Sequence, residues 1–197
     1  MFPPLRFLNL PNAATTLSAV AGFSAIVFAS RGAGRVALAF LFGSILLDRM
    51  DGALARRLGR TTDFGRELDS LADALSFSVA PAFIGYFAGA GVFGTACGLV
   101  YCVAGIWRLA YFNVTGMQGA GEGERFVGVP TTVAASWFLI ALVALRHAPS
   151  SLLRPGLALL FLILAALMVS SLPFPKRGLL VKSLYLLLPL ALAASWW

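Results

Sequence analysis

An all-α bundle of about seven membrane-spanning helices is the fold class this sequence predicts, and three observations carry the prediction. The chain has 197 residues, of which 59% are hydrophobic, and its mean hydropathy is +0.88. Apolar runs of about 18 to 20 residues recur along it, each long enough to cross a hydrocarbon core roughly 30 Å thick. In lipid the backbone has to satisfy its own hydrogen bonds, so runs of this length are read as helices, and β-barrel alternation is absent. The expectation is one integral-membrane domain, residues 1–197. Six or eight spans also fit, because the region after residue 150 holds short and proline-broken segments.

Residues 1–11, with Pro3, Pro4 and Pro11 among Phe and Leu, read as a short interfacial segment. Asn12 is placed as the cap of the first helix, with Thr15 and Thr16 in its first turn. Span one covers 13–29. Arg6 and this apolar run together look like a signal peptide, but further long spans follow directly, so the run is read as a retained helix. Arg31, Gly32, Gly34 and Arg35 make a tight turn into span two, 35–57, whose last turns hold Asp48, Asp51 and Arg56. Span three starts at Asp63 or Phe64 and ends near Ala88, with a kink expected at Pro81. Gly89, Gly91 and Gly94 turn the chain into span four, 92–114, which carries Arg108 and Asn113 near its end.

Residues 115–128 are the longest hydrophilic stretch and are rich in glycine, which marks a loop that is flexible or shaped by a ligand. Span five follows Pro130 and ends near Leu145. Arg146, His147, Pro149, Arg154 and Pro155 mark the next boundary, and span six covers 156–171. Pro173, Pro175, Lys176 and Arg177 break the pattern before a last run, 178–197, which contains Pro189 and ends on Trp196 and Trp197 as an interfacial anchor. Cys97 and Cys102 are five apart on one helix and face different ways, so each is assigned to packing.

The formal net charge is +7 and arginine outnumbers lysine. On a seven-span topology, one side holds Arg6, Arg56, Arg57, Arg60, Arg66, Arg125, Lys176, Arg177 and Lys182, and the other Arg31, Arg35, Arg146 and Arg154. Nine against four puts the first group at the cytoplasmic face. No basic stretch stands outside the membrane pattern, so nucleic acid is excluded as a partner and the bilayer with its anionic lipids is the expected one. His147, the only histidine, falls on the far side and is given a structural or interfacial role.

Six of the eight acidic residues lie between Asp48 and Asp73; the other two, Glu122 and Glu124, are in the hydrophilic loop. Asp48 and Asp51 are i,i+3 and share a helix face; Asp69 and Asp73 are i,i+4 and share another, with Gly65 one turn earlier. A short loop makes spans two and three an antiparallel hairpin, so the two faces can meet. Four converging carboxylates repel one another and are costly to bury. Mg²⁺ or Mn²⁺ would neutralise such an oxygen-donor set. Gly52 and Ala55 keep the inner surface of span two small, and Arg56 is placed to contact phosphate. The plainer alternative is a set of helix-end carboxylates paired with neighbouring arginines.

The spacing Asp48-x2-Asp51-Gly52-x2-Ala55-Arg56-x8-Gly65-x3-Asp69-x3-Asp73 resembles the signature of the CDP-alcohol phosphatidyltransferases, and it matches without a gap. Further stretches are similar to the membrane-type phosphatidylserine synthases of that family: Leu10-Pro11-Asn12 with Thr15, Gly65 to Asp73 followed by Ser76 to Pro81, Arg108 to Asn113, and Phe126 to Thr132. Tyr111 departs from the pattern, standing where those enzymes usually carry arginine, and Val133-Ala134-Ala135 stands where an asparagine is often found.

The resemblance implies the fold of that family and an enzyme of the cell (inner) membrane of a prokaryote, possible as a homodimer, with its site at the cytoplasmic face. It implies CDP-diacylglycerol and L-serine as substrates, with release of CMP. It implies two divalent ions on Asp48, Asp51, Asp69 and Asp73, with Asp73 as general base. Asn12, Thr15, Gly52, Ala55, Arg56 and Gly65 are assigned to the CDP-lipid. Glu67, Arg108, Asn113, Arg125, Thr131 and Thr132 are assigned to the serine pocket. Another acceptor (glycerol 3-phosphate, inositol phosphate), an ether-lipid donor, or a cation-coupled transporter are the alternatives.

Overall fold

The computed structural model describes residues 3–58, 62–116, 125–175 and 179–196. A 3-10 turn, Pro3–Phe7, leads into α1 (Leu10–Ser30) and α2 (Gly34–Leu58). The third traverse is composite: α3 (Asp63–Asp73), a π-helical segment (Ala74–Val79) and α4 (Ala80–Phe87). There follow α5 (Gly91–Thr115), strand β1 (Arg125–Val127), α6 (Thr131–His147), α7 (Ser150–Met168), strand β2 (Pro173–Pro175) and α8 (Leu179–Ala194). The helices run back and forth between two ends, giving seven traverses among the described residues. Four of them (Leu10–Ser30, Asp63–Phe87, Gly91–Thr115 and Ser150–Met168) are long and apolar enough to cross a membrane, which makes this an integral membrane protein.

Three boundaries differ from the sequence expectation. The cap of α1 is Asn9, whose Oδ1 accepts from the Asn12 N–H at 2.9 Å, so Asn12 lies inside the helix. Pro11 tolerates this because proline in a first helical turn forfeits a donor that has no intrahelical partner anyway. α7 starts at Ser150, so Arg154 and Pro155 fall inside it and not in the preceding loop; at the sixth helical position Pro155 withholds the N–H that the Ser151 carbonyl would otherwise accept. Finally, the hydrophilic stretch ends in a strand: β1 pairs antiparallel with β2, Phe126 opposite Phe174, at the end of the bundle that carries the carboxylates. Residues 117–124, with Glu122 and Glu124, lie outside the described residues, as does Arg60.

Between helices in lipid there is little hydrophobic driving force, so close packing of small residues and interhelical hydrogen bonds hold the bundle. Gly22 of α1 lies directly against Ser76 of the π segment, and Gly105 of α5 against Ser78, so a Cβ at either glycine has no room. Ser18 and Ser44 bridge α1 and α2 through their hydroxyls at 2.9 Å, and Ser76 Oγ donates to the Ser18 carbonyl at 3.2 Å. The apolar core below is aromatic: Phe138 stacks on Phe161, centroids 5.4 Å apart, and Tyr101 packs on the same ring. Cys97 and Cys102 are both free thiols.

The expected kink at Pro81 takes the form of the π segment. Proline has no N–H to offer the carbonyls four and five residues back, Phe77 and Ser76. The helix widens just before it, with Ala80 N–H donating to the Leu75 carbonyl five residues back. Tyr101 of α5 supplies the missing donor, its hydroxyl bonding the Phe77 carbonyl at 2.7 Å in a fully buried position.

Candidate active site

The α2–α3 hairpin brings the acidic faces together. Carboxylate oxygens of Asp48, Asp51 and Asp69 all lie within 4.8 Å of one another, with Asp51 buried and the other two half-buried. Asp73, one turn beyond Asp69, is within hydrogen-bonding reach of Asp48. The set therefore closes as a trio with Asp73 attached through Asp48. Like charges at this separation repel strongly unless a cation or shared protons compensate. Oxygen-only donors in this arrangement fit a hard divalent ion such as Mg²⁺ or Mn²⁺.

Each aspartate is positioned by its element. Thr62 caps α3, its hydroxyl accepting from Gly65 N–H at 3.0 Å, which fixes the start of the turn that carries Asp69 and Asp73. Phe7 stacks on Phe64 with centroids 4.4 Å apart, pinning the N-terminal segment over the start of α3. Gly65 faces Asn12 so closely that a Cβ there would sit 2.9 Å from Asn12 Oδ1. Asn12 is held in turn, its Nδ2 donating to the Phe7 carbonyl at 2.8 Å. The hydroxyl of Thr15 donates to the Pro11 carbonyl in its own helix. Asn12 and Thr15 thus line the α1 wall beside Gly65. Gly52 is half-buried on α2, and the side chains of Ala55 and Arg56 lie outside the described residues.

A second wall comes from α5, β1 and α6. Thr132 Oγ1 donates to Asp48 Oδ2 at 3.4 Å, joining α6 to the carboxylates. Ser70 of α3 donates to Asn113 Oδ1 at 2.9 Å, joining α5 to the same helix. Arg108 is buried, close enough to Asp73 to attract its carboxylate, and lies over the rings of Phe112 and Phe126 at 5.2 and 5.5 Å. The two rings are in contact with each other, centroids 5.6 Å apart, and the guanidinium lies over the pair, which favours its charge in a partly desolvated place. Its Nε and the hydroxyl of buried Thr131 are unpaired among the described groups, so the pocket retains donors for a ligand. The backbone of Arg125 is in β1, but its side chain lies outside the described residues.

One assigned residue is not brought in. Glu67 is exposed, and two residues before Asp69 puts it about 200° round the helix, on the face away from the carboxylates. Arg66 beside it pairs with Asp63 at 2.7 Å on the exposed surface. Sequence reasoning missed Ser70, Phe112 and Phe126. All three lie inside the matched stretches, and Phe112, one helical turn after Arg108, was the available signal.

A protein-family model described as CDP-alcohol phosphatidyltransferase matches residues 8–193. Over 176 residues the chain is 31% identical to a CDP-diacylglycerol–serine O-phosphatidyltransferase of Methanocaldococcus jannaschii, covering 89% of this chain and 78% of that one. It is 39% identical over 142 residues to a protein of the same name from Mycobacterium leprae, covering 70% of this chain and 47% of the relative, so it spans about half of that longer protein. It is 32% identical over 178 residues to an archaetidylserine synthase of Methanothermobacter thermautotrophicus, covering 86% of this chain and 71% of that one.

Proposed function

The chain belongs to the CDP-alcohol phosphatidyltransferase family, and from that premise we propose that it transfers the phosphatidyl group of CDP-diacylglycerol to L-serine, giving phosphatidylserine and CMP. The observation that carries the reading is the meeting of the Asp48, Asp51 and Asp69 oxygens within 4.8 Å, with Asp73 beside Asp48 and Arg108 beside Asp73. It supports reading a divalent-ion site, a candidate base and a fixed cation close together at one end of the helix bundle. The relatives named as serine transferases support serine as the acceptor.

Asp48, Asp51 and Asp69, with Asp73 shared, would hold two divalent ions, which would supply counter-charge for the pyrophosphate and the leaving CMP. The residues of the chain do the rest. Asp73 accepts the proton of the serine hydroxyl as its oxygen attacks the β-phosphorus. One P–O bond forms to serine while the P–O bond to CMP breaks. Thr132 orients Asp48 through its hydroxyl. Arg108 binds the carboxylate of serine, and Asn113, fixed by Ser70, with Thr131, supplies further hydrogen bonds. Asn12, Thr15, Gly52 and Gly65 form the narrow wall where the cytidine diphosphate approaches the backbone. Ala55 and Arg56 keep the CDP-lipid role, and Arg125 the acceptor role, that the sequence resemblance implies.

On the charge distribution, this end faces the cytoplasm of a prokaryotic cell, where CDP-lipid and soluble serine meet. A homodimer is the expected assembly. A second reading keeps the chemistry and changes the donor to an ether lipid, which the archaetidylserine synthase relative favours. The deciding experiment supplies purified protein with CDP-diacylglycerol or its ether analogue, Mn²⁺ or Mg²⁺, and a panel of alcohols, and follows CMP. Serine-dependent release is expected; release only with glycerol 3-phosphate or inositol phosphate would remove serine as the acceptor.

A further inference from the structure

The end of the bundle opposite the carboxylates holds a cavity of about 510 Å³ between the α1–α2 turn, the end of α6 and the end of α8. Its walls include Gly32, Gly34, Arg35, Arg146, His147 and Trp196. Three groups capable of positive charge therefore face one space. Every acidic side chain among the described residues belongs to the other end, so none of them supplies this cluster with counter-charge.

The backbone adds to the imbalance. Gly32 takes φ 74°, closing α1 with its N–H on the Ala29 carbonyl at 3.0 Å, and the chain re-enters helix at Gly34. The first N–H groups of α2 have no partner within the helix, and Ala33 before it has no polar side chain to cap them. The Arg146 guanidinium is packed against this helix start; a Cβ at Gly34 would sit 2.9 Å from both Nη1 and Nη2. A guanidinium beside the positive end of a helix dipole is unfavourable alone and becomes favourable around an anion. His147 donates from Nε2 to the Ala194 carbonyl at 3.2 Å, tying the end of α8 to the same rim. A smaller apolar recess lined by Ile84, Phe87 and Leu142 continues inward past Gly34 and Arg146. Exposed Trp196 at the mouth suits the membrane interface.

We propose that this cavity is a binding site for a phosphate group, supplied by the headgroup of an anionic phospholipid in the leaflet opposite the carboxylate site, with Arg35 and Arg146 as its principal ligands. Exposed Trp196 at the mouth, a residue suited to the membrane interface, favours a lipid over free phosphate. The bound headgroup ties the α1–α2 turn to the ends of α6 and α8. The site is separate from the transfer chemistry and stands whichever acceptor or donor that chemistry uses.

The test uses the full chain in nanodiscs of phosphatidylcholine, with fluorescent phosphatidylglycerol as probe. Saturable binding is expected, weakened about tenfold in the Arg35→Gln/Arg146→Gln double variant, as loss of charge-assisted hydrogen bonds predicts. Arg146→Lys, which keeps the charge, should retain most of it. Rising salt should weaken binding to the unmodified protein, a measurement that needs no variant. CMP release by the double variant in phosphatidylcholine should be unchanged. Displacement of the probe by inorganic phosphate would assign the site to free phosphate; displacement by unlabelled phosphatidylglycerol alone assigns it to the lipid. Equal binding by wild type and the folded double variant, equal binding of a labelled phosphatidylcholine, or salt-independent binding would each overturn the proposal.

Discussion

The hydroxyl of Tyr101 donates to the carbonyl of Phe77 at 2.7 Å, beneath the turn where Pro81 withholds its own N–H. Both side chains are fully buried. An α5 residue thus completes the hydrogen bonding of the third traverse. Tyr101→Phe should cost about 1–3 kcal/mol of stability by leaving that carbonyl unmet. In a Pro81→Ala background, where residue 81 regains an N–H, the same change should cost less. Thermal unfolding of the four proteins of this cycle in one detergent measures the coupling, and equal losses in both backgrounds would disprove the link.

Thr132 reaches Asp48 from α6 at 3.4 Å. Its removal in Thr132→Val should raise the Mn²⁺ or Mg²⁺ concentration needed for half-maximal CMP release by roughly 10–100-fold, the usual consequence of losing a hydrogen bond to a metal ligand. Chelation by EDTA should abolish release from the unmodified protein. Activity that survives EDTA would remove the divalent ion from the mechanism.

Asp73→Asn tests the base. Turnover should fall by about 10²–10⁴ while CDP-lipid binding, followed by equilibrium dialysis of radiolabelled ligand, changes little. Near-normal turnover would assign proton removal elsewhere.

Arg108 lies over the contacting rings of Phe112 and Phe126. Lysine keeps the charge but loses the planar fork and its stacking. Arg108→Lys should therefore raise KM for serine by about tenfold with a smaller effect on kcat. A drop in kcat at constant KM would point instead to Arg108 acting through Asp73.

Gly65→Ala places a Cβ against Asn12 Oδ1 and 3.2 Å from Thr62 Oγ1. Overpacking of this kind costs about 1–3 kcal/mol. The double variant Gly65→Ala/Asn12→Ala should recover part of that stability, read by thermal unfolding, if the α1–α3 approach is what demands glycine.

The helical traverses and the carboxylate meeting point were legible in the sequence for simple physical reasons. Apolar run length reports membrane thickness, and i,i+3 and i,i+4 spacing reports a shared face whatever the surroundings. What escaped notice depends on partners remote in sequence. The β1–β2 ribbon joins Phe126 to Phe174 across two helices, and strands three residues long carry no periodicity. Glu67 was drawn into the pocket by its place in the motif, although the same helical spacing that unites Asp69 and Asp73 turns it outward. Asn9 caps α1 in place of Asn12 because Pro11 is tolerated in a first helical turn, which lets the helix begin before it.

The π segment between Asp73 and Ala80 has a geometric consequence for the whole third traverse. A single inserted residue in an α-helix rotates everything beyond it by about 100°. The aspartate face of α3 and the core face of α4 are therefore out of phase with one continuous helix, and the widened turn reconciles them. The lower half can be aimed at the reacting groups while the upper half keeps its grip on Phe161 and α5. Deleting one residue between Ala74 and Val79 would restore a regular helix and turn Asp69 and Asp73 out of register with Asp48.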